Sequence, residues 1–274
     1  MTVNTTDPTL HLPRILCLHG GGTNARIFKA QCRIISRVLA PYFRFVYAEA
    51  PYSSTAGPDV MSVYAEHGPF KRWLRWLPDQ PETDDYTAIA DIDAMLDAAI
   101  DADDLAGATG PFVGILGFSQ GAKMAASILF RQQIRASRLG RAHAGSDFKF
   151  GVILAGRAPI VNLDPGVFQS SMLVGAGQVG LSRSPDLMEL VSGNHILRIP
   201  TIHVHGLNDP GLNLHRELLE EYCDPMTTRL VEWSGGHRVP IKGSDVKPLV
   251  DQIIDVAKLT GALKRGSHFP ESML

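Results

Sequence analysis

Three cysteines in 274 residues are too few and too scattered for a disulfide framework or a thiolate metal site. Cys17 lies in an apolar run and Cys32 in a helical pattern. With Cys223 they read as buried free thiols, and the odd, sparse count fits a reducing compartment. No apolar run approaches the ~20 residues of a membrane-spanning helix. The polar opening "MTVNTTDPTLHLP" lacks the apolar core of a secretory signal, so the expected location is cytoplasmic. Basic runs interleaved with aromatics are missing, and a formal net charge of −2 offers no electrostatic pull toward nucleic acid or an anionic membrane. Internal repeats and domain-separating linkers are missing as well. Hydrophobic residues, at 45%, are sufficient for a sizeable core.

Six apolar runs have the length and β-branched content of buried strands: 14–19, 43–48, 112–117, 150–155, 201–206 and 228–233. They are nearly continuous rather than alternating, as in strands covered on both faces of a parallel sheet. Helical patterns lie between them at about 26–40, 84–101, 120–134, 212–223 and 245–261. In the second of these, Ile89, Ile92, Leu96 and Ile100 recur at helical spacing behind an acidic first turn. The alternation predicts one α/β domain over 1–274, a mostly parallel doubly wound sheet of about six strands with helices on both faces and a core at about 12–262. Two insertions, 51–83 and 156–199, are long enough to act as lids or binding walls. The basic stretch "RQQIRASRLGRAHAGSDFK" reads as a solvated surface excursion.

"VGILGFSQGAKMA" carries the chemistry. Gly117-Phe118-Ser119-Gln120-Gly121 fits G-x-S-x-G between a predicted strand and a predicted helix, the context of a nucleophile elbow. A strand must turn into a helix within a few residues there, so neighbouring side chains would collide and the serine is held in strained dihedrals. Such a serine needs a histidine as base, and the histidine needs a carboxylate to hold its tautomer. In this fold the chain order is Ser, acid, His, each at a strand's carboxyl end. "TIHVHGLNDPG" supplies Asp209 and "RLVEWSGGHRVP" supplies His237. Asp209 also fits a turn or helix cap, Asp164 and Asp186 are weaker rivals, and His237 also fits a loop residue without a role.

Acyl transfer also requires two amide donors for the developing oxyanion. The amide of Gln120 follows the nucleophile, and the glycine run His19-Gly20-Gly21-Gly22 offers the amide of Gly21, with Gly22 or Thr23 within one position. His203 and His205 fall on a buried-strand pattern and read as satisfied core imidazoles. Those two alternating histidines lack a clustered third ligand, so no metal site is expected. His67, His143, His195 and His215 lack a strand-end context. The reading is a serine hydrolase or acyltransferase with no cofactor.

The blocks "RILCLHGGGTNARIFKAQ", "EAPY", "ILGFSQGAKMAASIL", "IHVHGLNDPGL" and "SGGHRVP" together resemble the fungal FSH family of serine hydrolases, and among them the members found beside polyketide synthases. The likeness spans roughly residues 12–258. It implies an α/β-hydrolase fold, the triad Ser119, Asp209 and His237, and esterase or thioesterase chemistry, often on an acyl chain carried by a synthase's carrier domain. Some members have a bulkier residue at the position of Gly21. For such a substrate Gly22, Tyr52, Phe70, Trp73 and Trp76 are the candidate contacts, although the tryptophans fit lid packing against the core equally well. Lys71, Arg72 and Arg75 either face an acidic carrier domain or form a solvated face. The alternatives are a short-chain carboxylesterase with no synthase partner and a non-hydrolytic accessory binding protein.

Overall fold

The computed structural model describes residues 7–57, 60–178 and 191–264. In chain order the elements are β1 (Arg14–Leu18), α1 (Ala25–Gln31), α2 (Arg33–Leu39), β2 (Arg44–Ala48), β3 (Tyr52–Ser54), α3 (Met61–Tyr64), β4 (Phe70–Arg72) and α4 (Asp85–Leu105). They continue with β5 (Phe112–Phe118), α5 (Gln120–Leu139), β6 (Phe150–Leu154), β7 (Val161–Asn162), β8 (Val174–Gly175), β9 (Thr201–Gly206), α6 (Leu212–Tyr222), β10 (Thr228–Trp233) and α7 (Gly243–Leu259). Six strands form one sheet in the order β10-β9-β6-β5-β1-β2, and every neighbouring pair is parallel.

Alternate residues of each inner strand serve opposite faces. On β1, Leu16 and Leu18 join the core against α4 and α5, while Ile15 and Cys17 join the core against α1, α2 and α7. Both faces are thus covered, which is why the strands read as continuous apolar runs. β10 is the exception. It is an edge strand with Arg229, Leu230 and Glu232 exposed, so its apolar run overstated its burial.

Helix starts follow local chemistry. The Asn24 carboxamide oxygen accepts from the Ile27 amide at 2.9 Å, and Asp84 accepts from Thr87 at 3.0 Å. The predicted 26–40 helix is broken at Cys32, where ψ is 2°. The helix predicted to end near 134 runs on to Leu139, into the supposed solvated excursion. The start of that stretch is anchored, since Arg131 pairs with Asp93, Arg135 with Asp164, and the Gln132 carboxamide bonds both backbone groups of Phe148, while residues 137–143 are exposed as expected.

β5 runs beside β1, and the chain leaves β1 toward β2 on one side and resumes with β5 on the other. A crevice at such a reversal opens at the strands' carboxyl ends. The glycine run after β1 and the serine after β5 flank it.

Candidate active site

Ser119 sits at φ 54° and ψ −115°, outside the regions L-residues ordinarily occupy. Its amide donates to the Leu154 carbonyl at 2.8 Å, and its own carbonyl receives the amides of Ala122 and Lys123 as α5 begins. The flanking glycines are a packing necessity. A Cβ on Gly121 would lie 2.1 Å from the Leu18 oxygen, and one on Gly117 would lie 2.2 Å from the Gly121 oxygen.

The loops after β9 and β10 are laced together. Leu207 donates to Trp233 and Asn208 to Gly235, both at 2.9 Å. Gly206 permits this approach, since its Cβ would fall 2.5 Å from the Gly235 oxygen. The lacing brings His237 over Asp209, with the imidazole tilted on the Phe118 ring at 5.1 Å. His237 Nδ1 lies 2.6 Å from Asp209 Oδ2, and its Nε2 lies 2.9 Å from Ser119 Oγ. Residues 119, 209 and 237 therefore meet in one hydrogen-bonded series. The other Asp209 oxygen accepts from the Gly211 amide at 2.8 Å. Burial works against ionisation of this carboxyl, but the Gly211 amide and the His237 ring outweigh it and hold it below the usual carboxylate range. A carboxylate so held keeps the Nδ1 proton in place and leaves Nε2 facing the hydroxyl as an acceptor. Of the rival acids, Asp164 is paired with Arg135, and Asp186 lies outside the described residues.

Gly21 packs on the Gln120 side chain, 3.2 Å from where its Cβ would be. No acceptor among the described residues takes the Gly21 or the Gln120 backbone amide. Gly22 behaves differently from the sequence expectation. Its amide donates to the Lys71 carbonyl at 2.9 Å and its carbonyl receives the Gly57 amide at 3.0 Å, so its backbone is committed to structure. Its φ of +73° and a Cβ position 2.3 Å from Gly57 N explain why glycine stands there.

Trp73 likewise departs from the pocket-wall expectation. It has no exposed surface, donates from Nε1 to the His19 carbonyl at 2.8 Å, and packs on the His19 ring. Core packing, the alternative weighed for it, is what it does. The Gln120 carboxamide holds this segment: Oε1 accepts from the amides of Trp73 and Leu74, and Nε2 donates to the Leu74 carbonyl. Tyr52 is half-buried with its hydroxyl donating to Asp91, Phe70 is half-buried beside Gly68, and Trp76 is 36% exposed. Arg72 is buried over the Tyr52 ring, and Arg75 binds Glu82 and the Pro78 carbonyl. Two of the three cations considered for a carrier domain are thus engaged within the chain.

Sequence reasoning passed over His215. It lies on the first turn of α6, fully buried, with Nε2 3.8 Å from Asp209 Oδ2. The only sequence signal is its distance of six residues from Asp209. His203, His205, His215 and His237 form a row with ring centroids 6.1, 5.7 and 6.1 Å apart. His203 and His205 are buried as expected, and His215 is buried with them, but they are not satisfied: Thr201 Oγ1 meets His203 Nε2, while both ring nitrogens of His205 and His215 lack hydrogen-bond partners. Burial pushes the pKa of His203 down to about 3 and those of His205 and His215 down to about 4. Asp209, His215 and His237 also form a donor set that could hold a metal ion.

A parallel sheet wrapped by helices, with a serine at a strained strand-to-helix corner, defines an α/β-hydrolase. The serine hydrolase (FSH1) family pattern matches residues 9–249, and the chain belongs to that family. Esterase pigG of Monascus ruber is 56% identical, with 94% of this chain and 96% of that protein covered. The "Probable esterase tazC" of Aspergillus terreus is 55% identical, with 94% and 97% covered. Among solved structures, acyl-protein thioesterase 2 of Zea mays superposes with a TM-score of 0.52 at 16% identity, covering 90% of this chain and 94% of that one. This last likeness is one of fold. The protein is an enzyme, a serine hydrolase of the esterase class. Among the described residues no helix is long and apolar enough to cross a membrane.

Proposed function

We propose that the protein cleaves an acyl thioester or ester through Ser119, releasing or editing a polyketide acyl chain borne by a synthase carrier domain. The observation that carries this reading is the hydrogen-bonded series Ser119 Oγ–His237 Nε2 at 2.9 Å and His237 Nδ1–Asp209 Oδ2 at 2.6 Å, beside two amides without an internal acceptor. His237 Nε2 takes the serine proton as Oγ attacks the carbonyl carbon. The amides of Gln120 and Gly21 hold the oxyanion. The tetrahedral intermediate collapses, and the leaving thiol or alcohol takes the proton from His237. Water, deprotonated by the same nitrogen, then hydrolyses the acyl-enzyme. The chain acts as one domain, with segments 51–83 and 156–199 choosing the substrate. Residues 58–59 and 179–190 of those segments lie outside the described residues.

The relatives' names, esterases, favour a second reading, a carboxylesterase for small oxygen esters. A fluorophosphonate probe tests the nucleophile, and a panel of acyl thioesters against short p-nitrophenyl esters tests the substrate class. Labelling at Ser119 with thioester preference supports the proposal. Preference for short oxygen esters selects the second reading, and no adduct at Ser119 favours a non-hydrolytic accessory binding protein.

A further inference from the structure

Asp209 has two imidazole neighbours. Its Oδ2 meets His237 Nδ1 at 2.6 Å and faces His215 Nε2 at 3.8 Å. The three donor atoms lie within 4.8 Å of one another. His215 is fully buried, and neither ring nitrogen has a hydrogen-bond partner. Leaving a buried polar atom unmet costs about 1–3 kcal/mol, and this one is directed at a carboxylate. Two imidazoles and a carboxylate are the donor set favoured by Zn²⁺ and its neighbours among the divalent transition metals.

We propose that Asp209, His215 and His237 form an inhibitory site for a divalent transition metal of the Zn²⁺ type. Ligands bound tetrahedrally at about 2.0–2.2 Å stand about 3.3 Å apart. The 2.6 Å pair must therefore open and the 3.8 Å pair close by well under 1 Å, and the two imidazole nitrogens, which lie within 4.8 Å of each other, close by up to about 1.5 Å as the rings turn toward the ion. The His237 side chain is 22% exposed and provides the way in.

The consequence follows from tautomerism and rests on the role of His237 as base. A neutral imidazole has one proton and one lone pair to share between its nitrogens. When the metal takes the Nδ1 lone pair, the proton formerly on Nδ1 resides on Nε2. Nε2 then presents an N–H to Ser119 Oγ and has no lone pair to accept the serine proton. No bond to carbon changes, and removing the metal restores the starting tautomer.

The test begins with the chelator-treated protein and Zn²⁺ alone. Turnover falls on Zn²⁺ addition and returns with excess EDTA. His215→Gln and His215→Leu, each compared with its own metal-free rate, require about ten-fold more Zn²⁺ or above. Co²⁺ added to Ser119→Ala gives the visible absorption of tetrahedral coordination, and the double variant with His215→Leu does not. Nitrogen-15 NMR of Ser119→Ala during Zn²⁺ titration shows His237 changing from the Nδ1–H to the Nε2–H tautomer, a readout that stands if the His215 variants fold poorly. Equal Zn²⁺ sensitivity of wild type and folded His215 variants, or no change at the His237 nitrogens, overturns the site. Both spectroscopic readouts are independent of turnover, so failure of Ser119 to label with fluorophosphonate sinks the catalytic reading separately.

Discussion

Replacing Ser119 by glycine and by alanine separates strain from chemistry. Both variants lose the hydroxyl and its 2.9 Å contact with His237 Nε2, so that loss cancels in the comparison. What differs is the backbone. At φ 54° and ψ −115° any residue with a Cβ is strained by about 1–3 kcal/mol, and glycine is not. In an unstrained position glycine is the poorer residue by about 0.5–1 kcal/mol, because its unfolded chain is freer. The difference leaves Ser119→Gly more stable than Ser119→Ala by up to about 2.5 kcal/mol, centred near about 1 kcal/mol. In a chain of this size each kcal/mol raises the melting temperature by roughly 2–4 °C. Urea unfolding at neutral pH with both variants reads the difference directly, and turnover should fall by orders of magnitude in both. An alanine variant as stable as the glycine variant, or more so, refutes the idea that this corner stores strain to present the hydroxyl.

Gly121→Ala should cost about 3 kcal/mol or more, because its Cβ meets the Leu18 oxygen at 2.1 Å and backbone cannot easily yield; an unchanged urea midpoint would contradict the packing described for the corner. Gln120→Ala keeps the backbone amide but strands the amides of Trp73 and Leu74 and the Leu74 carbonyl, for an expected loss of about 2 kcal/mol by thermal unfolding. Acid should destabilise the fold early. His203, His205 and His215 titrate at about 3, 4 and 4 when folded against 6.5 as the ordinary value, so between those limits the unfolded chain binds more protons. Their contribution is complete above pH 6.5 and is lost as the pH falls toward 4, at up to about 4 kcal/mol per pH unit if all three take part. Urea midpoints at pH 7.5 and 5.5 measure this, and a flat profile would mean the row of imidazoles is open to water.

Much of the site was readable because its demands are local. Gly117, Ser119 and Gly121 must occur together, since the corner leaves no room for side chains on either side. Asp209 and His237 were found by chain order and strand ends, features that survive in one dimension. Trp73 was left open between pocket wall and core packing, and Gly22 was taken for a substrate contact, because a large aromatic and a glycine look alike whether they face a ligand or a neighbouring segment. Gly22 is committed to Lys71 and Gly57, residues far along the chain whose approach has no local signature. The cations of α5 looked like a solvated tract because their partners, Asp93 and Asp164, come from other elements.

Periodicity and turn chemistry in the chain were enough to establish a parallel α/β sheet and to mark the strand ends where Ser119, Asp209 and His237 meet. These are short-range consequences of backbone sterics and apolar spacing. The position of His215 beside Asp209, the sealing of Trp73 under the glycine run, and the clamp from Gln120 arose only when distant segments packed together. Each depends on where helices and loops come to rest against the sheet, and no spacing in the chain encodes that distance.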